Sequence, residues 1–297
     1  HFGNADAMLE ILHQIAANEG FGPTVGLGVR QMKGIFAEMY GADPQFLQDI
    51  GMECKGLEYS EYVSKESIAQ QGGYGMANKG PQHDEAWLIF MDAINKQIPT
   101  FEDKAEALHY FPMFRTWFGL NGLCKLPWND VEPADNKKKH PPRVAARVPE
   151  HVDNYIRLFR AVTGRTDVNE PEDLIRMSEP AYNLQRLFNL RMGFGTREHD
   201  AIPYRSMGPV TSEEYESRAE RYDAQLKEAG IDATGQTTAQ KVQLLRQHRE
   251  QRYQQLVDAV YKRRGWTPEG IPTVETVRRL GIDFPDVLDL LRRHGVR

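Results

Sequence analysis

The sequence predicts a mainly α-helical fold, on three observations. Apolar residues recur at helical spacing along most of the chain, as at Met8, Leu9, Ile11, Leu12 and Ile15. Glycine, proline and capping residues separate these periodic segments and mark where helices begin and end. No pair of alternating apolar segments joined by a short turn, the pattern of a β-hairpin, stands out in the 297 residues.

The helices are predicted in order from their apolar faces and end signals, over about residues 4–20, 29–40, 84–95, 101–118, 150–163, 171–192, 211–229 and 237–264, with a last helix ending near 294. We expect Pro112 to kink or break one helix and Pro180 to interrupt another. Residues 51–82 are rich in glycine and lack helical rhythm, so their backbone is expected to approach another group closely. Residues 119–128 are expected to form a loop, and residues 129–148 a surface excursion or domain joint.

Composition and charge limit the classes of function that are possible. Hydrophobic residues make up 40% and charged residues 27%, an ordinary globular composition, and no apolar run reaches the roughly 18–20 residues of a membrane helix. The net charge of −5 argues against nucleic-acid binding. Two cysteines cannot build a disulfide framework, which indicates the reducing cytoplasm. Because the chain begins with His1 and has no leader pattern, we expect a fragment of a longer polypeptide.

Three features of the sequence could bind a ligand or a partner, but each also has a purely structural interpretation. The glycine-spaced residues 20–28 resemble a phosphate-binding loop, but no strand precedes them and no Lys-Ser/Thr follows, which favours a turn between helices. The basic run Lys137–His140 could contact a phosphorylated ligand such as coenzyme A or be a solvated loop. The charged segments at 211–229 and 237–264 are either solvated helices or a hairpin that binds a partner.

Two residues are candidates for chemistry. Cys124 lies in a predicted loop, two residues after Gly122 and next to Lys125, where a thiolate could ligate a metal; the alternative is a small buried hydrophobe. A lone cysteine cannot hold an iron–sulfur cluster by itself. His83 lies where the glycine-rich segment is predicted to enter a helix, a place suited to proton transfer or simply to capping.

Ordered motifs resemble the aldehyde:ferredoxin oxidoreductase family, whose enzymes use a tungsten-pterin cofactor. Residues 3–10 and 17–22 resemble the helix after that family's first pterin motif, and 55–58 its Lys-Gly-Leu-Glu element. Residues 75–83 resemble its Asn-Arg-Gly-x-x-His element, with Lys79 in place of Arg. Residues 119–124 resemble its second motif, Asp-x-x-Gly-Leu-Cys, with Gly119 in place of Asp. Residues 186–189, 200–205 and 264–273 follow its C-terminal signature.

The resemblance implies the multi-helix C-terminal domains of that family, without the N-terminal β domain. It implies one helical domain at 1–128, with the pterin-facing and cluster-ligand segments, and a second at 129–297 with a charged insert at 211–264. The implied cofactors are tungsten held by two pyranopterins, a four-iron, four-sulfur cluster with one ligand from this chain, and Mg²⁺ bridging the pterin phosphates. By resemblance Cys124 ligates the cluster and His83 moves protons near the tungsten. The implied pterin contacts are Lys79, Gly80, Gly122, Leu123 and Lys125.

Within the family, residues 80–87, 119–128 and 211–264 look most like the tungsten catalytic subunit of class II benzoyl-CoA reductases. That resemblance implies reduction of an aromatic thioester ring to a cyclic diene, in anaerobic degradation of aromatic compounds. Implied partners are the N-terminal half of the enzyme, an iron–sulfur electron-transfer subunit or ferredoxin, and a CoA thioester, in an oligomer. Aldehyde oxidation is the alternative, since the shared motifs bind cofactor and do not read substrate. A non-catalytic helical scaffold is a second alternative, for which Gly119 is the main argument.

Overall fold

The structure is a computed structural model that describes residues 3–60, 62, 64–124 and 152–297. Helices dominate it, which confirms the predicted mainly α class. They are α1 (Ala5–Ala17), α2 (Gly22–Gly26), α3 (Val29–Tyr40), α4 (Pro44–Ile50), α5 (Ile68–Gly75), α6 (Phe101–Leu120), α7 (Val152–Thr163), α8 (Pro171–Arg191), α9 (Ser212–Glu216), α10 (Ala219–Glu228), α11 (Thr238–Arg264), α12 (Val274–Arg279) and α13 (Pro285–Arg293). Within the described ranges, the only strands are β1 (Glu53–Cys54) and β2 (Leu57–Glu58), an antiparallel pair.

The first compact unit comprises His1–Glu61 and Ile202–Glu250. Its aromatic and aliphatic core lies among α9, α10 and α11, around Tyr215, Tyr222, Leu226, Val242 and Leu245. The guanidinium of Arg246 holds the carboxylate of Asp49 in a bidentate pair at 2.5 and 2.8 Å. That pair fastens α4 to the long helix α11 within this unit.

The second compact unit comprises Tyr62–Ala201 and Gln251–Arg297. Helix α6 packs against α5 and α8. A separate apolar cluster joins the end of α8 to α12 and α13, and its buried members are Leu187, Leu190, Ile271, Val277, Ile282, Val287, Leu290, Leu291 and Val296. All predicted site residues that the structure describes belong to this unit. The predicted division between residues 128 and 129 lies outside the described residues and stays a prediction.

Neither internal proline ends its helix, so the expected interruption at Pro180 and a break at Pro112 do not occur. Helix α6 continues through Pro112 to Leu120, and α8 continues through Pro180 to Arg191. Proline leaves the carbonyl four residues earlier without its helical donor. In α6 that carbonyl belongs to Leu108, and it accepts a hydrogen bond of 2.8 Å from the buried guanidinium of Arg264. A tertiary contact therefore replaces the missing helical one.

The glycine-rich segment hides a helix that the sequence did not predict. Helix α5 begins after the capping hydroxyl of Ser67, and nearly all of it is buried. A Cβ atom at Gly72 would lie 2.6 Å from a methyl of Leu108, and one at Gly73 would lie 2.8 Å from the carbonyl of Ala86. The glycines allow close packing of α5 against its neighbours, which agrees with the expected close approach of backbone.

Two other predicted helices are also wrong in extent. Of the helix predicted at 84–95, only a π-helix at Phe90–Ile94 forms, because the side-chain oxygen of Gln70 accepts from the amides of Leu88 and Ile89 at 2.8 and 3.0 Å. The segment 211–229 is divided into α9 and α10 at Arg218, whose backbone leaves the helical region. The last helix, α13, ends at Arg293, which agrees with the predicted end near residue 294, and α12 precedes it as a separate helix.

Candidate functional site

One group of predicted site residues lies in a turn after α5, here called the 78–85 turn (Asn78–Glu85). It carries Lys79, Gly80 and His83. Gly80 has φ +103°, in the left-handed region that favours glycine. Lys79, whose side chain is 46% exposed, forms an ion pair with Asp84 across the turn. The ammonium group of Lys79 is therefore already paired with a carboxylate of the same turn.

His83 does not begin a helix, contrary to expectation, because residues 83–85 form a turn and no helix begins before residue 89. Its half-buried ring lies instead among aromatic side chains. The centroid of Tyr62 is 5.0 Å away in an edge arrangement, and that of Trp87 is 6.3 Å away. Phe90 packs edge-on against Trp87 at 5.0 Å. Tyr62 and Trp87 therefore pack against the half-buried ring of His83.

The second group of predicted site residues follows the C-terminus of α6. Gly122 has φ +66°, and the amide of Leu123 closes the helix end by donating to the carbonyl of Phe118 at 3.0 Å. This is the left-handed helix cap that glycine permits. Cys124 comes directly after the cap with an exposed free thiol, so it is no buried core cysteine. Lys125, the next predicted pterin contact, lies outside the described residues, as does the basic run 137–140.

Helix α6 is related to the 78–85 turn through charge. The guanidinium of Arg115, on α6, is 4% exposed, and burial lowers its pKa while the carboxylate of Asp84 opposes that effect. Asp84 thus interacts with Lys79 in its own turn and with Arg115 on α6. Asp84 therefore relates the turn electrostatically to α6, the helix whose C-terminal end precedes Cys124.

A buried polar layer beneath the turn was missed at the sequence level. Glu85 is 4% exposed and accepts a hydrogen bond of 2.8 Å from the hydroxyl of Tyr182. Asn78 donates from its side chain to the carbonyl of Tyr182 at 3.0 Å. No spacing rule links residue 85 to residue 182, so only the tertiary structure reveals this contact.

The C-terminal signature residues converge in the core of the second unit. Arg186 binds both carboxylate oxygens of Asp200 at 2.9 Å and donates to the carbonyl of Gly270 at 2.9 Å. The guanidiniums of Arg186 and Arg264 lie 4.8 and 4.9 Å from the ring of Trp266. These motif residues hold the core of the second unit together through ion-pair, hydrogen-bond and ring contacts.

Across residues 3–60, 62, 64–124 and 152–297, no group of three or more His, Cys, Asp and Glu side chains could hold a metal ion. The exposed thiol of Cys124 fits a cluster that takes one ligand here and the rest elsewhere. Gly119 offers no carboxylate, and an added Cβ there would meet nothing within 4 Å. A cavity of about 900 Å³, lined by His109, Tyr261 and Trp266 among others, contains none of the predicted site residues.

Sequence comparison identifies the class of protein. The family described as aldehyde ferredoxin oxidoreductase, domains 2 and 3, matches residues 1–282. The chain belongs to this family, which confirms the resemblance of the motifs.

Individual relatives agree with that assignment. Tungsten-containing aldehyde ferredoxin oxidoreductases from Pyrococcus furiosus and Thermococcus kodakarensis are each 23% identical over 286 residues, covering 95% of this chain. The match covers 37% of each relative, so the chain spans just over a third of their length.

A solved structure shares the fold. It is the active-site complex BamBC of benzoyl coenzyme A reductase in complex with 1,5-dienoyl-CoA, with a TM-score of 0.54 at 17% identity. The likeness covers 99% of this chain and 41% of that one. Among the described residues, no helix has both the length and the apolar character of a membrane span.

Proposed function

We propose that this chain is the C-terminal part of a tungsten-pterin, iron–sulfur oxidoreductase that acts in the reducing cytoplasm and reduces the aromatic ring of benzoyl-CoA to a cyclic dienoyl-CoA. The observation that carries the proposal is the exposed thiol of Cys124, directly after the α6 cap, where the family's second pterin motif ends. The fold likeness to the benzoyl coenzyme A reductase complex supports the choice of substrate class.

Each site residue has a role in this proposal. Cys124 supplies one thiolate of a four-iron, four-sulfur cluster, and the other three come from outside this chain. Gly122, Leu123, Lys125, Lys79 and Gly80 would contact the pterin, and Mg²⁺ would neutralise charge on its phosphates. When bound, the tungsten-pterin and iron–sulfur groups supply electrons at low potential.

His83 is the proton-transfer residue of the proposed reaction. The reaction adds two electrons and two protons to the ring and leaves the thioester intact. His83 moves a proton at a ring nitrogen, while Tyr62 and Trp87 pack around it and keep water away. The electrons enter from an iron–sulfur partner subunit or a ferredoxin.

Aldehyde oxidation to a carboxylic acid is the second candidate, because the relatives from Pyrococcus and Thermococcus are aldehyde ferredoxin oxidoreductases. A non-catalytic scaffold is the third, favoured by Gly119 in place of the motif's Asp.

Metal analysis of the full-length protein, purified without oxygen, tests the two enzyme functions against the scaffold, because a scaffold contains neither tungsten nor iron. Reduced viologen with benzoyl-CoA, and oxidised viologen with aldehydes, then separates the two enzymes. Turnover of aldehydes alone would overturn the first choice.

A further inference from the structure

Helix α8 has two apolar faces. The first is buried in the second unit and includes Leu187 and Leu190. The second follows helical spacing along another side of the helix and continues directly after its end. Its members, here called the outer face of α8, are Met177, Ala181, Leu184, Phe188 and Met192. Because residues spaced at i, i+4, i+7 and i+11 lie along one side of a helix, the outer face is a continuous row.

The outer face is largely exposed. Leu184, Phe188 and Met192 are 43%, 62% and 59% exposed, and Met177 and Ala181 are half-buried. Single exposed apolar side chains are ordinary on a protein surface, whereas a contiguous apolar row marks an interaction site. Burial of this row against another surface would remove apolar area from water and stabilise the contact. The outer face therefore has the character of an interface.

Phe188 belongs to segment 186–189 of the C-terminal signature but differs from its neighbours in burial. Arg186 and Leu187 are buried in the core. The side chain of Asn189 donates a hydrogen bond of 2.5 Å to the carbonyl of Asn78. Packing within the unit accounts for these three neighbours. It does not account for a phenylalanine that is mostly exposed, which indicates a contact outside this unit.

The outer face borders the 78–85 turn. Asn189, the residue after Phe188, holds the carbonyl of Asn78, and the side chain of Asn78 donates to the carbonyl of Tyr182 at 3.0 Å. Helix α8 thus supports the base of the turn that carries His83. A surface that covers the outer face would consequently lie beside the candidate site.

The occupant that fits this position is the rest of the same polypeptide. The chain spans 37% of its relatives' length and 41% of the related chain in the solved complex. Under the proposed function, three of the four cluster thiolates come from outside this chain, so the part that carries them must reach this unit. Permanent contacts are more apolar than transient ones, which favours this occupant over a separate electron-transfer protein.

We propose that the outer face of α8 is the docking surface for the part of the same polypeptide that supplies the other three cluster thiolates. The inference rests on the proposed function, because a shared cluster requires that part. It assigns the exposed Phe188 to the contact at the centre of that surface and leaves the buried side of α8 to the core.

Thiol labelling of the full-length protein without oxygen, resolved peptide by peptide, tests the docking. Leu184→Cys places a thiol on the outer face. The matched control is Arg176→Cys, at a side chain of α8 that is 74% exposed and lies off the outer face. In the native protein Leu184→Cys should react roughly tenfold more slowly than Arg176→Cys, and both should react alike after denaturation. Equal native rates would overturn the proposal.

The labelling also separates the other possible occupants. Protection that disappears on dilution together with a dimer would assign the outer face to a second copy of the chain. Protection that requires a separate electron-transfer subunit would assign it to that subunit. Either result would overturn the proposal, which expects protection in the single polypeptide at every concentration.

Substitution of Phe188 tests the energetic weight of the contact. Phe188→Asp should lower the melting temperature of the full-length protein by roughly 5 °C or more, because a charge would be buried in the contact, whereas Phe188→Leu should change it little. Equal melting temperatures in the two variants would contradict the docking. Equal native labelling in a protein that contains tungsten and iron would refute this inference alone. Protection in a protein without either metal would refute the proposed function and still support the docking.

Discussion

Arg186 and Asp200 form a bidentate ion pair whose side chains are 0% and 1% exposed, and the pair joins two segments of the C-terminal signature. Tyr261 also donates to the Asp200 carboxylate, and Tyr253 donates to its backbone carbonyl at 2.6 Å. The signature residues thus close the core of the second unit. Their occurrence in the motif reflects folding, whereas the candidate chemistry lies in the 78–85 turn and after α6.

Breaking this ion pair should strongly destabilise the second unit. Asp200→Asn leaves the guanidinium of Arg186 buried without its counter-charge, which should cost about 3–5 kcal/mol. The exposed pair between Arg191 and Asp286, at 2.5 Å, is the matched control, and Asp286→Asn should cost less than about 1 kcal/mol. Thermal unfolding of the full-length variants measures both, and equal losses would contradict the structural role assigned to Asp200.

Gly270 should resist substitution more than a glycine of similar backbone geometry. It has φ +80°, and an added Cβ would lie 2.5 Å from a nitrogen of Arg186 and 2.7 Å from the hydroxyl of Tyr261. Gly281 has φ +66° with nothing within 4 Å. Gly281→Ala should cost about 1–2 kcal/mol for the backbone alone, and Gly270→Ala should lower the melting temperature clearly further. Equal shifts would refute the steric argument.

His109 should make stability depend on pH in the mildly acidic range. Burial, with a smaller contribution from Arg264, lowers its pKa from 6.5 to about 4. The unfolded chain therefore binds a proton before the folded one as pH falls, so stability is lost between about pH 6.5 and about pH 4. The loss attributable to this group is at most about 3 kcal/mol. In denaturant titrations across this range, His109→Gln should show a shallower fall, and an unchanged slope would contradict the assignment.

Restoring the motif's acidic residue should strengthen cofactor retention. Gly119 lies in the last turn of α6, where an added side chain meets nothing within 4 Å, so Gly119→Asp should fold normally. The added carboxylate would supply the hydrogen-bond acceptor that the second pterin motif has at this position. Tungsten retained per chain after gel filtration should rise relative to wild type. Gly119→Asn, which is similar in size and uncharged, is the control, and no gain in either variant would argue against pterin contact here.

The sequence predicted the fold class and most helices, because amphipathic periodicity is a local signal. It failed where tertiary contacts override local rules. Pro112 stays inside α6 because the guanidinium of Arg264 donates a hydrogen bond to the carbonyl of Leu108. The helix predicted at 84–95 is largely absent because two of its backbone amides donate to the side chain of Gln70 instead. Motif residues near Cys124 and His83 were found from their order along the chain. Their support, Glu85 on Tyr182, spans 97 residues and leaves no local pattern.

Cys124 is proposed to be the one thiolate that this chain gives to a shared iron–sulfur cluster. Iron and tungsten content, with electron paramagnetic resonance of the reduced protein, tests it most directly in full-length protein isolated without oxygen. Cys124→Ala should retain the fold and lose the signal of the four-iron cluster, while Cys54→Ala, at a buried cysteine of β1, should keep it. Wild-type protein without tungsten and iron, or an unchanged cluster signal in Cys124→Ala, would contradict the account.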